Sequence, residues 1–511
     1  MNELLVPIDN LPNNVTSHIV NSSTEPFEKL LSDHQKEIFR SIIALVEERI
    51  ESPLRSDNVE DYMISLSGAA GTGKTFLTTQ LAKYFKSKNK LHYAFTLTSP
   101  THKATGVAAQ MLRDNNIQAP CRTIHSFLGI KPFKDYDKGV EKFVIDKTQK
   151  QKSHTAILFV DESSMISSEL YKYIVEAWEQ QRVAFIIFVG DPYQLLPIGD
   201  SDNRIYKLKN QFILTEVVRQ AQDSYILKIA TELRHAIEKQ QFIPLDLFFR
   251  KHQYSELEYF HNEADFIKSF HKHPKWHNQD KIIAAHKNQN VDAFNRIIRQ
   301  IFWEQRGVNN APTLLKGDRL RFKEAYSVRD ISLYHNGQVI EIESTILKNH
   351  ESLKIKYWEC RAVNANEQQI FRVVDPTSMQ VFNDKLTTIA KMAKKALGKQ
   401  KSDLWKLFYD VRDSFADVQY IHASTIHKLQ GSTYDETYLD LFSLINNHYM
   451  SDDDKYRLTY VAVTRARFCL KIFMSKDSPK DTFEKMSSQE MKINTRKQFE
   501  EVDDMLKNLG I

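Results

Sequence analysis

The segment at 68–75, GAAGTGKT, fits the pattern G-x-x-x-x-G-K-[ST] at every fixed position. Glycine is scarce in this chain, 14 among 511 residues, yet three glycines fall within these eight positions. Because glycine lets the backbone curl until successive N–H groups point at one anion, the segment is typical of a phosphate-binding loop. An apolar run at 63–66 precedes it, and Leu77, Leu81 and Phe85 recur every four residues after it. The pattern predicts a strand, a phosphate loop and a helix N-terminus.

We expect this loop to hold the phosphates of ATP. Lys74 is expected to reach the β- and γ-phosphates, and the Thr75 hydroxyl to hold Mg²⁺. A chance glycine turn, the alternative, would not require the flanking strand and helix. The other loop residues predicted to contact the nucleotide are Gly68, Ala69, Ala70, Gly71, Thr72 and Gly73.

Two carboxylates follow a second apolar run, in ILFVDE at 157–162. Asp161 is expected to hold Mg²⁺ through water, and Glu162 to polarise the attacking water. An acidic pair at a strand end is common by itself, but it gains weight downstream of a phosphate loop. Gln194, in GDPYQLLP at 190–197, is expected to contact the γ-phosphate or its water; a simple turn is the alternative.

Short apolar runs alternate with helical stretches in two sections of the chain, which predicts an α/β fold with parallel strands buried on both faces. The predicted strands are Met63–Leu66, Tyr93–Leu97, Ala156–Val160 and Ala184–Val189 in the first section, and Lys281–Ala285, Val418–Ala423, Thr437–Leu441 and Phe468–Phe473 in the second.

This alternation also predicts the domain organisation. Residues 1–28 read as a loosely held extension, and 29–50 as a helix whose inward side chains include Leu30 and Ile38. The predicted divisions are a first domain at 29–210 interrupted by a polar insertion at 131–153, a second domain at 211–315 and 416–511, and a β-barrel with a basic helical part inserted at 316–415.

The bulk composition is that of a soluble globular protein, with 41% hydrophobic and 26% charged residues. The N-terminus lacks the layout of a signal peptide, and no apolar run approaches the length of a membrane helix. Three distant cysteines predict neither a zinc site nor a disulfide framework, so we expect a cytoplasmic protein of a bacterial or phage-infected cell. A net charge of +5 permits nucleic-acid binding without requiring it.

Eight motifs occur in one order: GAAGTGKT, SPTHKA, TIHSFLG, VDESSM, GDPYQLLP, LTEVVRQ, STIHKLQGSTYD and YVAVTRAR. This order resembles that of the superfamily 1 helicases, and in particular the RecD/Dda-like 5′-to-3′ branch, over residues 30 to 475. The resemblance implies two RecA-like P-loop domains in tandem, a small hairpin insertion in the first, and an SH3-like β-barrel plus helical insertion in the second. It also implies ATP-driven 5′-to-3′ movement on single-stranded DNA and unwinding of duplex DNA.

The same resemblance implies further nucleotide contacts. Gln35 matches the adenine-contacting glutamine of these helicases. Arg219 and Arg465 match the two arginines that reach the γ-phosphate, where a guanidinium stabilises charge on the phosphoryl oxygens. Gln430 and Gly431 match the loop that lines the nucleotide cleft.

Polar side chains of two further motif pairs are expected to contact DNA phosphates, which position a strand without reading its sequence. These residues are Pro100, Thr101, His102, Thr123, Ile124 and His125 in the first domain, and Thr425, Ile426, His427 and Lys428 in the second. The insertion at 131–153 matches the strand-separating hairpin, with Pro132, Phe133 and Phe143 as wedge candidates. The basic part at 386–412 is expected to rest on that insertion.

Three alternatives stay open at this point. They are a 3′-to-5′ helicase, although GDPYQLLPIGD lacks the longer aromatic motif of that class, an RNA helicase, and a P-loop ATPase acting as a switch, which would not need the motifs at 424–467. The expected ligands are single-stranded DNA and its junctions with duplex, with a single-stranded-DNA-binding or replication protein as a conceivable partner. We expect a monomer.

Overall fold

The computed structural model describes residues 21–52, 56–145, 154–197, 199–200, 203–216, 224–252, 254–328, 331–365 and 369–474. The chain forms two compact units, each treated by itself below. Unit 1 consists of the described residues within Met1–Leu128, Lys150–Pro192 and Leu196–Asp223, and unit 2 of those within Gly129–Gln149, Tyr193–Leu195 and Ser224–Ile511.

The helices are α1 (Asn21–Glu28), α2 (Asp33–Glu51), α3 (Lys74–Ser87), α4 (His102–Asp114), α5 (Ile124–Leu128), α6 (Ser168–Glu179), α7 (Tyr225–Lys239), α8 (Leu245–Arg250), α9 (Glu263–Phe270), α10 (Asn288–Glu304), α11 (Met379–Lys395), α12 (Gly398–Arg412), α13 (Leu441–Ile445) and α14 (Asp452–Val463).

The strands are β1 (Met63–Gly68), β2 (Phe95–Ser99), β3 (Cys121–Thr123), β4 (Ile130–Asp135), β5 (Val140–Ile145), β6 (Thr155–Val160), β7 (Val183–Gly190), β8 (Gln211–Leu214), β9 (Leu257–Phe260), β10 (Lys281–Ala285), β11 (Arg319–Phe322), β12 (Tyr326–Val328), β13 (Ile331–Tyr334), β14 (Val339–His350), β15 (Ile355–Ala362), β16 (Ile370–Val374), β17 (Val418–Tyr420), β18 (Ala423–Thr425), β19 (Tyr434–Asp440) and β20 (Ala466–Phe473).

Unit 1 is built on a parallel sheet of order β3-β2-β6-β7-β1-β8. Every residue of β1 is buried, as the unalternated apolar run predicts for a strand covered on both faces. The four predicted strands of this section are present within one or two residues. The predicted boundary after residue 210 is wrong by one strand, because β8 pairs with β1 and completes this sheet.

The N-terminal part of unit 1 holds two departures from prediction. Within the predicted extension, residues 21–28 form α1, which packs Phe27 against Tyr84 at a ring-centroid distance of 5.6 Å. Leu30, predicted to face inward, is 78% exposed, and Leu31 is buried in its place. The helix begins only at 33, after the N-cap Ser32, so the helical periodicity does not extend back to residue 30.

Unit 2 holds a second parallel sheet, of order β18-β10-β19-β20-β9. The predicted single strand Val418–Ala423 is wrong: it divides into β17, which pairs antiparallel with β11, and β18, which pairs parallel with β10. Since strand propensity is continuous through this segment, only tertiary pairing reveals that it passes from one sheet to another.

The predicted insertion in unit 2 forms an antiparallel sheet of order β16-β15-β14-β11-β17, followed by α11 and α12. Its core contains Leu320, Phe322, Ile342 and Phe371. No helix among the described residues is both long and apolar enough to cross a membrane.

Candidate nucleotide site and nucleic-acid interface

The phosphate loop turns where glycine is needed. Gly71 and Gly73 have φ angles of 80° and 83°, in the left-handed region that other residues avoid. A Cβ on Gly68 would lie 2.6 Å from the Thr72 hydroxyl and 3.0 Å from the Leu214 carbonyl oxygen. The loop therefore brings the backbone into close contact on both sides before Lys74 begins α3. This geometry fits a polyphosphate bound at the helix N-terminus.

Two side chains hold the loop in shape. The Lys74 ammonium donates to the Gly68 and Ala69 carbonyl oxygens at 2.6 and 2.9 Å. The Gln35 amide donates to the Thr72 carbonyl at 3.1 Å and also accepts from the Ser32 N–H. Gln35 thus lies against the phosphate loop, and its amide already has partners on both sides.

The carboxyl end of β6 places the predicted acidic pair beside Lys74. Burial and the neighbouring Glu162 charge raise the pKa of Asp161 to about 7, while the Lys74 charge opposes that shift. Glu162 occupies the left-handed region with φ 53°, a strained backbone for a non-glycine residue. Crowded carboxylates next to a phosphate loop are relieved by a cation, so the donor set fits Mg²⁺.

Within the described residues, no group of three or more histidine, cysteine or acidic side chains is placed to hold a metal by itself. Proteins commonly bind Mg²⁺ through one or two carboxylates together with substrate phosphates. Thr75, the other predicted ligand, is exposed at the start of α3.

Gln194 lies in a short segment that belongs to unit 2. Its side chain is 5% exposed, and its Oε1 has no hydrogen-bond partner among the described residues. The Gln194 backbone carbonyl accepts from the Arg457 guanidinium of α14 at 3.1 Å. A buried amide oxygen without a partner is uncommon and is consistent with a group that meets a ligand.

The structure brings Arg465, Gln430 and Gly431 together in unit 2. Arg465 is 6% exposed and donates to the Val461 and Ser432 carbonyls at 3.0 and 2.9 Å, which ties the end of α14 to the loop after β18. Gly431 turns that loop with φ 68°. The Gln430 Nε2 is buried and has no partner among the described residues. Arg219 lies outside the described residues.

The first pair of predicted DNA-contact motifs converges at the edge of the unit 1 sheet. β2 and β3 are parallel neighbours with Ser99 opposite Thr123, so the segments that follow them are adjacent. Thr101 caps α4, and His102 is exposed in its first turn. Burial, followed by the nearby His102 charge, lowers the pKa of His125.

The second pair repeats this arrangement in unit 2, where Ala285 of β10 lies opposite Thr425 of β18. Here the sequence analysis missed His286, which follows β10 directly. Its ring lies 6.2 Å from that of His427, and burial lowers the pKa of both. The signal was available, since His286 and Lys287 are polar residues at the carboxyl end of a predicted strand.

Tyr449 is a second omission. Its side chain is 102% exposed, in a loop after α13. Asn447 fixes this loop: its side-chain oxygen accepts from the Tyr449 N–H at 3.2 Å, and its amide nitrogen lies 3.4 Å from the His286 ring. An isolated exposed tyrosine carries no sequence pattern, so only the fold shows that its loop reaches His286 through Asn447.

The predicted insertion forms the hairpin β4–β5, whose tip packs on α12 rather than projecting freely. Tyr136 lies 6.0 Å from Tyr409, ring to ring, and Asp137 accepts from the Ser402 hydroxyl. At the tip, a Cβ on Gly139 would lie 2.0 Å from Trp405. Two ion pairs flank these contacts, Lys134 with Asp413 and Arg412 with Glu141. The expectation that the basic helical part rests on the insertion is therefore confirmed.

The wedge candidates lie midway along the hairpin, not at its tip. Phe143 is opposite Pro132, and Phe133 is opposite Lys142, so the two rings face opposite sides of the ribbon. Phe133 is 48% exposed and Phe143 57%. Neither ring is buried in a core of the insertion.

Comparison with known proteins agrees with this geometry. Residues 55–200 match the model of an AAA domain, and residues 420–469 match that of the UvrD-like helicase C-terminal domain. The chain is 24% identical to the ATP-dependent DNA helicase dda of Enterobacteria phage T4, covering 86% of this chain and 98% of that protein. It is 30% identical to the ATP-dependent DNA helicase Pif1 of Campylobacter jejuni over 30% of this chain and 31% of that protein.

Among solved structures, the Pif1 helicase from Candida albicans matches with a TM-score of 0.44 at 15% identity, covering 90% of this chain and 100% of that one. The phosphate loop with its acidic pair, the second parallel sheet with its own motifs, and the match along nearly all of the phage helicase agree with the motif order. In its motif order and in these matches, the chain is similar to the RecD/Dda-like superfamily 1 helicases.

Proposed function

We propose that this protein is an ATP-dependent DNA helicase that translocates 5′ to 3′ on single-stranded DNA and unwinds duplex DNA. One observation carries the proposal: two separate parallel sheets each end in a matched pair of histidine-bearing segments, and only the first also carries a phosphate loop. A switch needs the phosphate loop alone. A motor that advances along a strand needs a second grip.

In the nucleotide site, Lys74 neutralises charge on the β- and γ-phosphates, and the loop N–H groups from Gly68 to Thr75 orient them. Glu162 polarises the attacking water. Thr75 and Asp161 would hold Mg²⁺, which would supply further charge neutralisation on the transferring phosphoryl group. Gln35, already fixed against the loop, is proposed to orient the base.

The second unit supplies groups that respond to the γ-phosphate. We assign this role to Arg465, to Gln194 and to the Gln430–Gly431 loop, with Arg219 as a further arginine. The support is the unpaired buried amide atoms of Gln194 and Gln430, together with the contacts from Arg465 to the Gln430 loop. These groups link phosphate chemistry to α14 and β18, and β18 also carries Thr425.

DNA binding is proposed to use phosphate contacts and stacking. The contacting groups are Pro100, Thr101, His102, Thr123 and His125 of unit 1, and Thr425, His427, Lys428 and His286 of unit 2. Tyr449, exposed in the loop that contacts His286 through Asn447, offers a ring on which a base can stack irrespective of its identity. Binding should therefore depend little on DNA sequence.

Strand separation is assigned to the hairpin β4–β5. Pro132, Phe133 and Phe143 are the candidate wedge, because the rings are exposed while the tip is held by Trp405 and Tyr409. A hairpin that is held at its tip can resist displacement when an exposed ring contacts the last base pair of the duplex.

The setting that we propose is the cytoplasm of a bacterial or phage-infected cell, with the chain acting as a monomer on junctions between single-stranded and duplex DNA. A single-stranded-DNA-binding or replication protein is a compatible partner.

ATP hydrolysis measured with no nucleic acid, with single-stranded DNA and with RNA tests the proposal. Strong stimulation by DNA is expected, since both units must engage the strand for the cycle to proceed. Equal rates in all three conditions would favour the switch, and stimulation by RNA alone would favour an RNA helicase.

A further inference from the structure

A group of basic side chains lies at the edge of the unit 2 sheet opposite the histidine pair. Helices α9 and α10 run antiparallel to the strands of the unit 2 sheet, starting at the carboxyl ends of the strands. Both helices therefore end near the start of β10. The Lys281 ammonium, at the start of β10, donates to the carbonyl of Phe270, the last residue of α9. The Trp276 indole donates to Gln305, just after α10, at 2.9 Å. We call the exposed cations here the amino-edge patch: Lys268, Lys272, Lys275, Arg306 and Arg319.

The patch forms no salt bridge among the described residues, although Glu341 of β14 lies opposite Arg319 in the β11–β14 pairing. Three partly buried imidazoles lie close to cations of this region. Burial, followed by positive neighbours, lowers the pKa of His271, of His277 and of His422, whose pKa falls to about 3. For His271 the positive neighbours are Lys281 and Lys268. For His277 they are Arg306 and Arg319. For His422 they are Arg319, Arg299 and Lys281.

The surface under these charges is well packed. Trp276 is 1% exposed, with its ring 5.9 Å from those of Phe270 and Phe302. The Arg306 guanidinium lies 3.6 Å from the centre of the Phe302 ring, which fixes a normally mobile side chain. The cations of the amino-edge patch therefore surround a well-packed aromatic cluster.

A structural role accounts for only part of the patch. Cations near a helix C-terminus are favoured by the helix dipole, which explains Lys268 in the last turn of α9. Lys272 and Lys275 lie in the loop beyond α9, and Arg319 lies on β11, outside that effect. Keeping unpaired like charges together costs folding free energy, so a ligand of opposite charge is the physical explanation we favour.

We propose that the amino-edge patch binds the phosphates of the DNA strand displaced during unwinding. This inference rests on the proposed function, because only strand separation delivers a second single strand to the protein. The histidine pair at the carboxyl edge already serves the strand along which the protein moves. Unpaired cations without base-reading groups suit a backbone that must be held regardless of sequence.

The test compares a forked DNA, with both single-stranded arms, and a duplex with only a 5′ tail. The variant Lys268→Ala/Lys272→Ala/Lys275→Ala removes three exposed charges that make no ion pair. The matched control, Lys391→Ala/Lys394→Ala/Lys395→Ala, removes three exposed charges from α11. Affinity is measured as a function of salt concentration for the full-length protein and both variants.

For the fork, the slope of log affinity against log salt should become shallower by about 2 in the patch variant, at about 0.7 for each single-strand phosphate contact. The 5′-tailed duplex should show no change, and the control variant should match wild type on both substrates. Stimulation of ATP hydrolysis by single-stranded DNA should be retained, which shows that the variant is folded.

An unchanged slope on the fork, or an equal loss on both substrates, would overturn the inference. So would unchanged fork binding accompanied by lost binding of a polyglutamate peptide, which would identify an acidic protein partner instead. Failure of the wild-type protein to hydrolyse ATP or to separate a 5′-tailed duplex is a different result, and it would count against the proposed function itself.

Discussion

The two parallel sheets resemble each other at the pair of strands that forms one edge of each sheet, and they differ elsewhere. At that edge, β2 with β3 and β10 with β18 both lead into a threonine and a pair of histidines, and burial lowers the pKa of His125 in the first pair and of His286 and His427 in the second. Away from it, the first sheet carries the glycine loop and Asp161, whereas the second carries Arg465 held on backbone carbonyls. On this basis we propose that both sheets bind DNA and that the first sheet carries ATP hydrolysis.

Removal of Lys74 should have the largest effect on the activity that distinguishes the first sheet, which is ATP turnover. Lys74→Ala loses the cation that the loop presents to the phosphates, so we expect ATP turnover to fall to background. Glu162→Gln should retain nucleotide binding and lose turnover. Lys86→Ala, an exposed lysine near the end of the same helix, is the control in a steady-state ATPase assay. Near-normal turnover in either site variant would contradict the assignment.

The second sheet should contribute to turnover through a single arginine. Arg465→Ala is expected to lower DNA-stimulated turnover by about 10³-fold, the scale of an arginine that stabilises phosphoryl charge. Single-stranded DNA binding should persist, which separates lost chemistry from lost folding. Arg467→Ala, an exposed arginine paired with Asp435, is the matched control. Loss of DNA binding together with turnover would make Arg465 a structural residue.

The grip of the second sheet should depend on a stacking ring. Tyr449→Ala should weaken single-strand affinity by about tenfold, within the roughly 1–3 kcal/mol of a base–aromatic stack. Tyr449→Phe keeps the ring and should bind like wild type in a fluorescence anisotropy titration. If both variants bind normally, the strand does not reach this loop.

The hairpin should affect separation without affecting chemistry. Phe133→Ala or Phe143→Ala is expected to slow unwinding of a 5′-tailed duplex several-fold while DNA-stimulated ATP hydrolysis stays nearly intact. Ile331→Ala removes a comparably exposed apolar side chain, 65% exposed, from the hairpin β12–β13 and serves as control. Normal unwinding by both Phe variants places the wedge elsewhere.

The smallest expected effect is a pH dependence of the grip. Because the pKa values of His286 and His427 are lowered, both rings are neutral at pH 7 and charge only in more acidic solution. A protonated imidazole carries a positive charge that attracts the DNA phosphates. The affinity for single-stranded DNA should therefore be constant from about pH 7 to 8 and rise about twofold below about pH 6. The neutral form is favoured in the fold, so the free energy of unfolding should fall over the same acid range. His427→Gln should flatten the affinity profile, and an unchanged profile would remove His427 from the interface.

Local patterns were sufficient for the elements that carry chemistry. The phosphate loop, the strand at Lys281–Ala285 and the acidic pair after β6 are each encoded by contiguous residues, and the structure shows them as predicted. The failures share another cause. Three features depend on partners distant in sequence: the assignment of β8 to the first sheet, the division of 418–423 between two sheets, and the contact of Asn447 with His286 that holds the Tyr449 loop. Single-sequence periodicity carries no information about such partners.

The most direct test of the central claim is strand separation, with ATP, of two partial duplexes that differ only in whether the single-stranded tail is 5′ or 3′. We expect the wild-type protein to separate the 5′-tailed duplex and not the 3′-tailed duplex. The Lys74→Ala variant should separate neither. Separation of the 3′-tailed duplex alone, or ATP hydrolysis without separation of either, would contradict it.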